Sequence, residues 1–242
     1  MDDFQALRRL PIPPPRFDEN VPVPPPQECG EPLVDLTGAS PRLQYAASYR
    51  SRGVPHAPAR CWLRKTAAAM LVQAAEALPP GWSLLVYDSL RPLAVQQALY
   101  DEFRERLRKQ HPNYTEQQLA EAIDGFVALP RRDFLRPAPH TTGGAVDLTL
   151  CRQGEPVPMG TGFDDFSPRA ATRFLEEHPQ DEAGQAALEN RRLLYHFLTR
   201  RGFVNYEGEW WHFSYGDRAW ARQKETTPCY GFLDLEGRGD IW

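Results

Sequence analysis

Two short stretches of this 242-residue chain hold the side chains whose types and spacing are suited to chemistry. One is the segment HTTGGAVD, from His140 to Asp147, and the other is Glu209-Trp-Trp-His212. Together they offer two imidazoles and two carboxylates, the set that a catalytic zinc site with an open water position requires. The leading hypothesis from these residues is a metallohydrolase.

The glycines between His140 and Asp147 explain how side chains seven positions apart can face a common point. Gly143 and Gly144 allow a tight turn, so the chain can double back between the two residues. Histidine and aspartate are common near glycines, so this stretch taken alone is more typical of an ordinary loop histidine and an unrelated strand carboxylate. The second stretch favours the metal site.

Glu209 and His212 add a candidate base to the candidate ligands. Three positions apart in a regular strand they would face opposite sides of a sheet, so we expect a turn or a bulge to bring both toward the metal. A glutamate beside the attacking water can accept its proton and deliver it to the leaving amine, as peptide hydrolysis requires. Trp210 and Trp211 can supply apolar walls for this site, or simply the core of a hairpin.

The hydrophobic pattern predicts helices and strands that alternate around these motifs. We expect helices over residues 62–78, 93 to about 109, 115 to about 127 and 182–201, strands over 82–87 and 144–150, and a hairpin over 203–206 and 210–215. The helix at 115 begins with a capping-box pattern. Pro92 suits the first turn of its helix and leaves Arg91 at the junction between strand and helix. These elements predict a mixed α+β domain.

Composition excludes several classes of protein. The net charge of −4, with both signs scattered along the chain, gives no reason to expect nucleic acid or a membrane surface as partner. No segment reaches the roughly 20 apolar residues that a transmembrane helix needs, and the first ten residues lack the apolar run of a signal peptide. The four cysteines lie far apart in the sequence and are expected to be free thiols; they are Cys29, Cys61, Cys151 and Cys229. A cytoplasmic protein that acts on a small substrate is expected, and its oligomeric state is left open.

Proline distribution suggests a division of the chain. Nine of the 24 prolines lie before position 33, and they predict an extended arm over residues 1–32 that packs on the domain or binds a proline-recognising module. The folded domain is then expected over residues 33–230, followed by a C-terminal tail over 231–242.

Four motifs, in order along the chain, resemble those of the zinc D-alanyl-D-alanine dipeptidases. This family includes the vancomycin-resistance dipeptidase and is related to D,D-carboxypeptidases and to the hedgehog signalling domain. The resemblance extends from about Asp35 through Phe213. It rests on four stretches, which are Tyr87-Asp-Ser-Leu-Arg91-Pro92, His140-x-x-Gly143-x-x-x-Asp147-Leu-Thr149, Met159-Gly-Thr-Gly-Phe-Asp164 and Glu209-Trp-Trp-His212.

The resemblance implies a role for each site residue. His140, Asp147 and His212 would bind one zinc ion, and Glu209 would act as general base and acid. Arg91 would hydrogen-bond the oxyanion, a contact that exists only in the transition state. Asp164 would receive the free ammonium of a dipeptide, with Asp165 as a rival for that role. We therefore expect a single α+β domain with a small, mostly antiparallel sheet flanked by helices and the zinc site in a cleft on the sheet.

The resulting hypothesis is hydrolysis of D-alanyl-D-alanine, or of a close D,D-dipeptide. One departure concerns the substrate: Ala138-Pro139 precede His140 where the family usually has serines, so the resemblance does not specify which dipeptide is preferred. A D,D-carboxypeptidase that acts on peptidoglycan stem peptides is the alternative enzyme, but the missing signal segment argues against it. The non-enzymatic alternative is a zinc-stabilised binding module, which would need neither Glu209 nor Arg91.

Overall fold

The computed structural model describes residues 2–15, 22–124, 127–178, 180–235, 239 and 241. The helices are α1 (Asp2–Ala6), α2 (Ser48–Ser51), α3 (Lys65–Glu76), α4 (Leu93–Gln110), α5 (Glu116–Asp124), α6 (Phe174–Glu177), α7 (Glu182–Thr199) and α8 (Arg218–Gln223). The strands are β1 (Leu33–Asp35), β2 (Leu43–Tyr45), β3 (Trp62–Arg64), β4 (Trp82–Asp88), β5 (Ala145–Arg152), β6 (Glu155–Pro156), β7 (Val204–Asn205) and β8 (His212–Ser214). Short 3₁₀ turns cover Leu7–Arg9, Pro139–Thr142 and Pro168–Ala170.

The main sheet has the order β2-β4-β5-β8-β7, with β6 paired to β5. Every pairing in it is antiparallel except β2 with β4. A separate antiparallel pair is formed by β1 and β3. Helices α3 and α7 share one buried core with strands β4 and β5, so the sheet is flanked by helices. The predicted α+β domain with a mostly antiparallel sheet is therefore confirmed.

Side chains of the central strand β5 point alternately to the hydrophobic core and to the candidate site. Val146, Leu148 and Leu150 belong to the main hydrophobic core, together with residues of α3 and α7. Because successive side chains of a strand point to opposite faces, Asp147 lies on the other face of the sheet. The register places Asp147 opposite Asp88 of β4 and opposite His212 of β8. Three polar side chains thus lie side by side across the middle of the sheet.

Most of the predicted elements match the structure within a few residues. The capping box is formed as predicted, since Gln118 N donates to Thr115 Oγ1 (3.2 Å) and Thr115 N donates to Gln118 Oε1 (2.9 Å). Helix α5 ends at Asp124, and the predicted end near Val127 is separated from it by residues 125 and 126, which lie outside the described residues. The predicted hairpin is present as β7 and β8, with shorter strands.

The predicted start of a helix at Trp62 is wrong. Residues Trp62–Arg64 form strand β3, and the helix begins only at Lys65. Pairing with β1 and a hydrogen bond from Arg64 N to Gly143 O (2.8 Å) hold this backbone extended. These partners are distant in sequence, so the local Ala- and Leu-rich pattern overstates the helix.

The N-terminal segment begins with a short helix before its prolines. Phe4 and Leu7 are buried in the main core, and Ile12 is buried further along the segment. At the other end, Leu235 and Ile241 pack against Leu90. The division into arm, domain and tail stays a prediction. No helix among the described residues is long and apolar enough to cross a membrane.

Candidate metal centre and active site

His140 lies in the 3₁₀ turn Pro139–Thr142, which ends at Gly143 in the left-handed conformation (φ 72°). The next residue, Gly144, has no room for a side chain, since a Cβ there would lie 2.3 Å from the carbonyl oxygen of Tyr215. The two glycines therefore make the predicted turn and lead directly into β5. A backbone hydrogen bond from Arg91 N to His140 O (3.1 Å) ties this turn to the end of β4.

The structure brings His140, Asp147 and His212 together, and all three are buried. His140 Nε2 lies 3.1 Å from His212 Nδ1 and 3.2 Å from Asp147 Oδ1, and His212 Nδ1 lies 2.9 Å from the same oxygen. Donors on a zinc tetrahedron with bonds of 2.0–2.1 Å are about 3.3 Å apart. The spacing and the donor types therefore fit zinc, and no other such group occurs among the described His, Cys, Asp and Glu residues.

The ring of His140 is held in the orientation that a ligand needs. Its Nδ1 lies 2.7 Å from the backbone oxygen of Ser89. A carbonyl only accepts, so Nδ1 carries a proton, and Nε2 is the ring atom that faces the cluster. Burial would raise the pKa of the neighbouring Asp147, but His140 and His212 hold that pKa below its ordinary value. Asp147 is thus kept as the carboxylate that a metal ligand must be.

Glu209 lies in the turn before β8, which confirms that a turn brings it to the side of His212. Its Oε2 is 3.9 Å from His212 Nδ1, so the carboxyl group borders the three-residue cluster. The side-chain amide of Asn205 donates to Glu209 O (3.1 Å) and to His212 O (2.9 Å) and so joins both ends of the turn. Burial, together with Asp147, raises the pKa of Glu209 to about 7.

Arg91 points into the same space from the end of β4. Its Nε donates to Asp88 Oδ2 (2.9 Å), Nη1 to Gln96 Oε1 (3.0 Å) and Nη2 to the Tyr49 hydroxyl (3.2 Å). Nη2 also lies 3.6 Å from Asp147 Oδ2. Burial would lower the pKa of Arg91, but Tyr49 and the surrounding carboxylates raise it, so the guanidinium stays charged. A fixed cation therefore faces the cluster.

Asp164 stands on the other side of Tyr49. The Tyr49 hydroxyl donates to Asp164 Oδ1 (3.1 Å), and Arg52 Nη1 donates to Oδ2 (2.6 Å). Its backbone is left-handed (φ 59°), and burial raises its pKa to about 6. Asp165, the rival position, instead accepts a hydrogen bond from Ser167 N (2.8 Å) and does not line the cavity.

All the predicted site residues line one cavity of about 280 Å³. The cavity is large enough for a dipeptide and is walled by side chains from α2, α4, β5, β8 and the turn before β8, together with Arg91 between β4 and α4. Ala138 and Pro139, the residues that replace the expected serines, also line it. The cleft on the sheet that the sequence predicts is thus present.

Five supporting residues were not predicted, namely Tyr49, Arg52, Asp88, Gln96 and Asn205. The sequence did contain an indication for Asp88, because this residue lies inside the motif that contains Arg91 and ends a buried strand. Tyr49 and Arg52 had none, because their partner Asp164 lies 115 and 112 positions away in sequence. Gln96 and Asn205 contact site residues within seven positions, but neither is part of a motif that pointed to chemistry.

Comparison of the sequence with known proteins identifies the family of this chain. Residues 35–229 match the model of peptidase family M15, described as D-Ala-D-Ala dipeptidase. A D-alanyl-D-alanine dipeptidase of Synechocystis is 34% identical over 88% of this chain and 93% of its own length. The D-alanyl-D-alanine dipeptidase of Escherichia coli K12 is 32% identical over 75% of this chain and 83% of its own length.

A mutant of the vancomycin-resistance D,D-pentapeptidase VanY in complex with Zn(II) is a more distant solved structure. It is 21% identical, covers 64% of this chain and 73% of its own and has a TM-score of 0.40. On the family match and the two dipeptidases, this chain belongs to the D-alanyl-D-alanine dipeptidases of peptidase family M15.

Proposed function

We propose that this protein is a zinc-dependent dipeptidase that hydrolyses D-alanyl-D-alanine, or a close D,D-dipeptide, to free amino acids. The observation that carries the proposal is the position of the Glu209 carboxyl group, 3.9 Å from a ligand atom of the cluster and in the same cavity as Arg91 and Asp164. A site that only held a structural metal would need no such carboxyl group.

His140, Asp147 and His212 would hold one zinc ion. When bound, zinc supplies Lewis acidity that polarises the scissile carbonyl and makes an attacking water more acidic. A set of three protein ligands is typical of catalytic zinc sites, which keep a further position for water or substrate.

Glu209 is the proton carrier in this proposal. It accepts a proton from the attacking water and delivers it to the nitrogen of the leaving amino acid. Asn205 fixes the turn that holds Glu209 and His212, so the carboxyl group keeps its place during both transfers.

Arg91 stabilises the negative charge that develops on the carbonyl oxygen. Its guanidinium is already held by Asp88, Gln96 and Tyr49 before substrate arrives, so no reorganisation is needed in the transition state.

Asp164 recognises the free ammonium group of the substrate. A dipeptide places this group one residue before the scissile bond, whereas a longer peptide has an uncharged amide there. An amide would leave the buried Asp164 carboxylate without a cationic partner from the substrate, and this difference favours dipeptides. The cavity-lining Ala138 and Pro139 carry no hydroxyl group, so a serine contact to the substrate amine or to the groups around the metal is missing here.

The test is release of free alanine by the purified, zinc-loaded protein. D-Alanyl-D-alanine, L-alanyl-L-alanine and N-acetyl-D-alanyl-D-alanine are compared at equal concentration. Turnover of the free D,D-dipeptide alone is the expected result. Equal or better cleavage of the acetylated peptide would replace the proposal by a D,D-carboxypeptidase, and no cleavage of any peptide would favour a zinc-stabilised binding module.

A further inference from the structure

Arg52, the residue after helix α2, forms ion pairs in two directions. Its Nη1 lies 2.6 Å from Asp164 Oδ2, and its Nη2 lies 2.9 Å from Glu102 Oε1 on helix α4. The guanidinium also lies over the ring of Tyr49, 5.4 Å from the centroid. These contacts hold Arg52 in one place at the wall of the catalytic cavity, although 42% of its side chain is exposed.

The contacts of Arg52 and Tyr49 leave Asp164 able to bind a further donor. A carboxylate has about four lone-pair positions on its two oxygens. Arg52 and Tyr49 use one on each oxygen. The remaining positions are available to an ammonium group, and the two bound donors fix the plane in which it must approach.

We propose that Arg52 is a positioning residue of the ammonium subsite, which keeps the Asp164 carboxylate ionised and oriented for the amino terminus of the dipeptide. This inference rests on the proposed function. Glu102 has a secondary part in it, because it anchors the second nitrogen of Arg52.

The charges around Asp164 explain why such a residue is needed. Burial raises the pKa of Asp164 to about 6, and the Asp147 carboxylate of β5 acts in the same direction. Arg91 from the end of β4, Arg52 and the Tyr49 hydroxyl oppose the increase. Glu209, from the turn before β8, is a further nearby carboxyl group. Without Arg52 the pKa of Asp164 rises further, and at neutral pH more of the protein carries a neutral acid that cannot pair with an ammonium group.

The test compares Arg52→Ala, Arg52→Lys and wild type by KM and kcat for D-alanyl-D-alanine between pH 6 and 9. Arg60→Ala is the matched control, because Arg60 also forms an ion pair at 2.6 Å, with Asp35, but does not line the cavity. We expect Arg52→Ala to raise KM several-fold at pH 7 while kcat stays within about twofold. The difference in KM should shrink as pH rises, and Arg52→Lys should restore most of the affinity.

A second readout does not depend on turnover. The pKa of Asp164 can be followed by carbon NMR of the side-chain carboxyl group, with Asp164→Asn to identify the signal. We expect Arg52→Ala to move this pKa upward and Arg60→Ala to leave it unchanged.

Three results would overturn the inference. A lower KM in Arg52→Ala would show that the guanidinium competes with the ammonium group. A KM difference that is the same at every pH would indicate a merely structural role. An unchanged Asp164 pKa in Arg52→Ala would refute the inference, whether or not the protein hydrolyses a dipeptide. If the pKa shifts but the wild type turns over no dipeptide, only the proposed function is refuted.

Discussion

Glu209 is the residue that distinguishes an enzyme from a zinc-stabilised binding module, because only the enzyme needs it. Its carboxyl group borders the cluster without being one of the three convergent donors. We predict that Glu209→Gln lowers kcat by about 10²–10⁴, because the amide cannot accept the proton of the attacking water. Zinc content, measured by atomic absorption, should stay at one ion per chain. Loss of zinc together with activity would assign Glu209 to the metal instead.

Arg91 allows a separate test of oxyanion stabilisation. Lysine keeps the positive charge but loses the fork of donors that now joins Asp88, Gln96 and Tyr49. We predict that Arg91→Lys lowers kcat by about 10²–10³ and leaves KM nearly unchanged, since the contact belongs to the transition state. Steady-state kinetics measure both constants. An increase in KM with kcat preserved would place Arg91 in substrate binding.

At the scale of elements, the site depends on how closely β5 and the segment after β8 approach each other. Tyr215 N donates to Gly144 O (2.9 Å), and a Cβ on Gly144 would lie 2.3 Å from Tyr215 O and 2.8 Å from the ring of Tyr230. We predict that Gly144→Ala lowers the free energy of unfolding by about 3 kcal/mol, because backbone has to move.

Chemical denaturation measures this loss, and zinc affinity should fall with it because Gly144 lies between His140 and Asp147. Gly162→Ala is the matched control, since a Cβ there meets no atom within 4 Å. Equal effects of the two substitutions would contradict the steric explanation.

At the scale of the whole molecule, the N-terminal segment contributes to the main core. The ring of Phe4 makes edge contacts with Trp82 (5.2 Å between centroids) and Phe197 (5.5 Å). We predict that Phe4→Ala lowers the free energy of unfolding by about 3 kcal/mol. Leu10→Ala, at a site 38% exposed, should have a much smaller effect. Thermal unfolding measures the loss of stability, and kcat is measured well below the transition temperature. We expect kcat to be unchanged.

Metal binding should also stabilise the whole domain. The three candidate ligands come from a 3₁₀ turn, β5 and β8, so an ion that binds them links segments 72 positions apart in sequence. We predict that removal of zinc by a chelator abolishes activity and lowers Tm, and that added zinc restores both. In His140→Ala the chelator should change Tm little. A chelator-insensitive wild-type Tm would argue against a metal at this cluster.

Several features could be predicted from local sequence alone. The buried strand Trp82–Asp88, the capping box at Thr115 and helix Glu182–Thr199 each follow from a pattern within their own residues. The same is true of the turn at Gly143 and Gly144, because glycine permits backbone that other residues avoid. Motif order along the chain was sufficient to indicate the family. The start of α3 was overestimated, since a strand partner overrides helix propensity at Trp62–Arg64.

The tertiary structure alone decided which side chains support these motifs. Tyr49 and Asp164 are separated by 115 positions, and Arg52 and Asp164 by 112, yet both pairs are in hydrogen-bond contact. Sheet order β4-β5-β8 and its register place Asp88, Asp147 and His212 side by side. Local periodicity reports which face of an element is apolar, but strand order and register depend on the packing of the whole core. The sequence therefore determined the chemistry that the chain can perform, and the fold determined the charges that tune it.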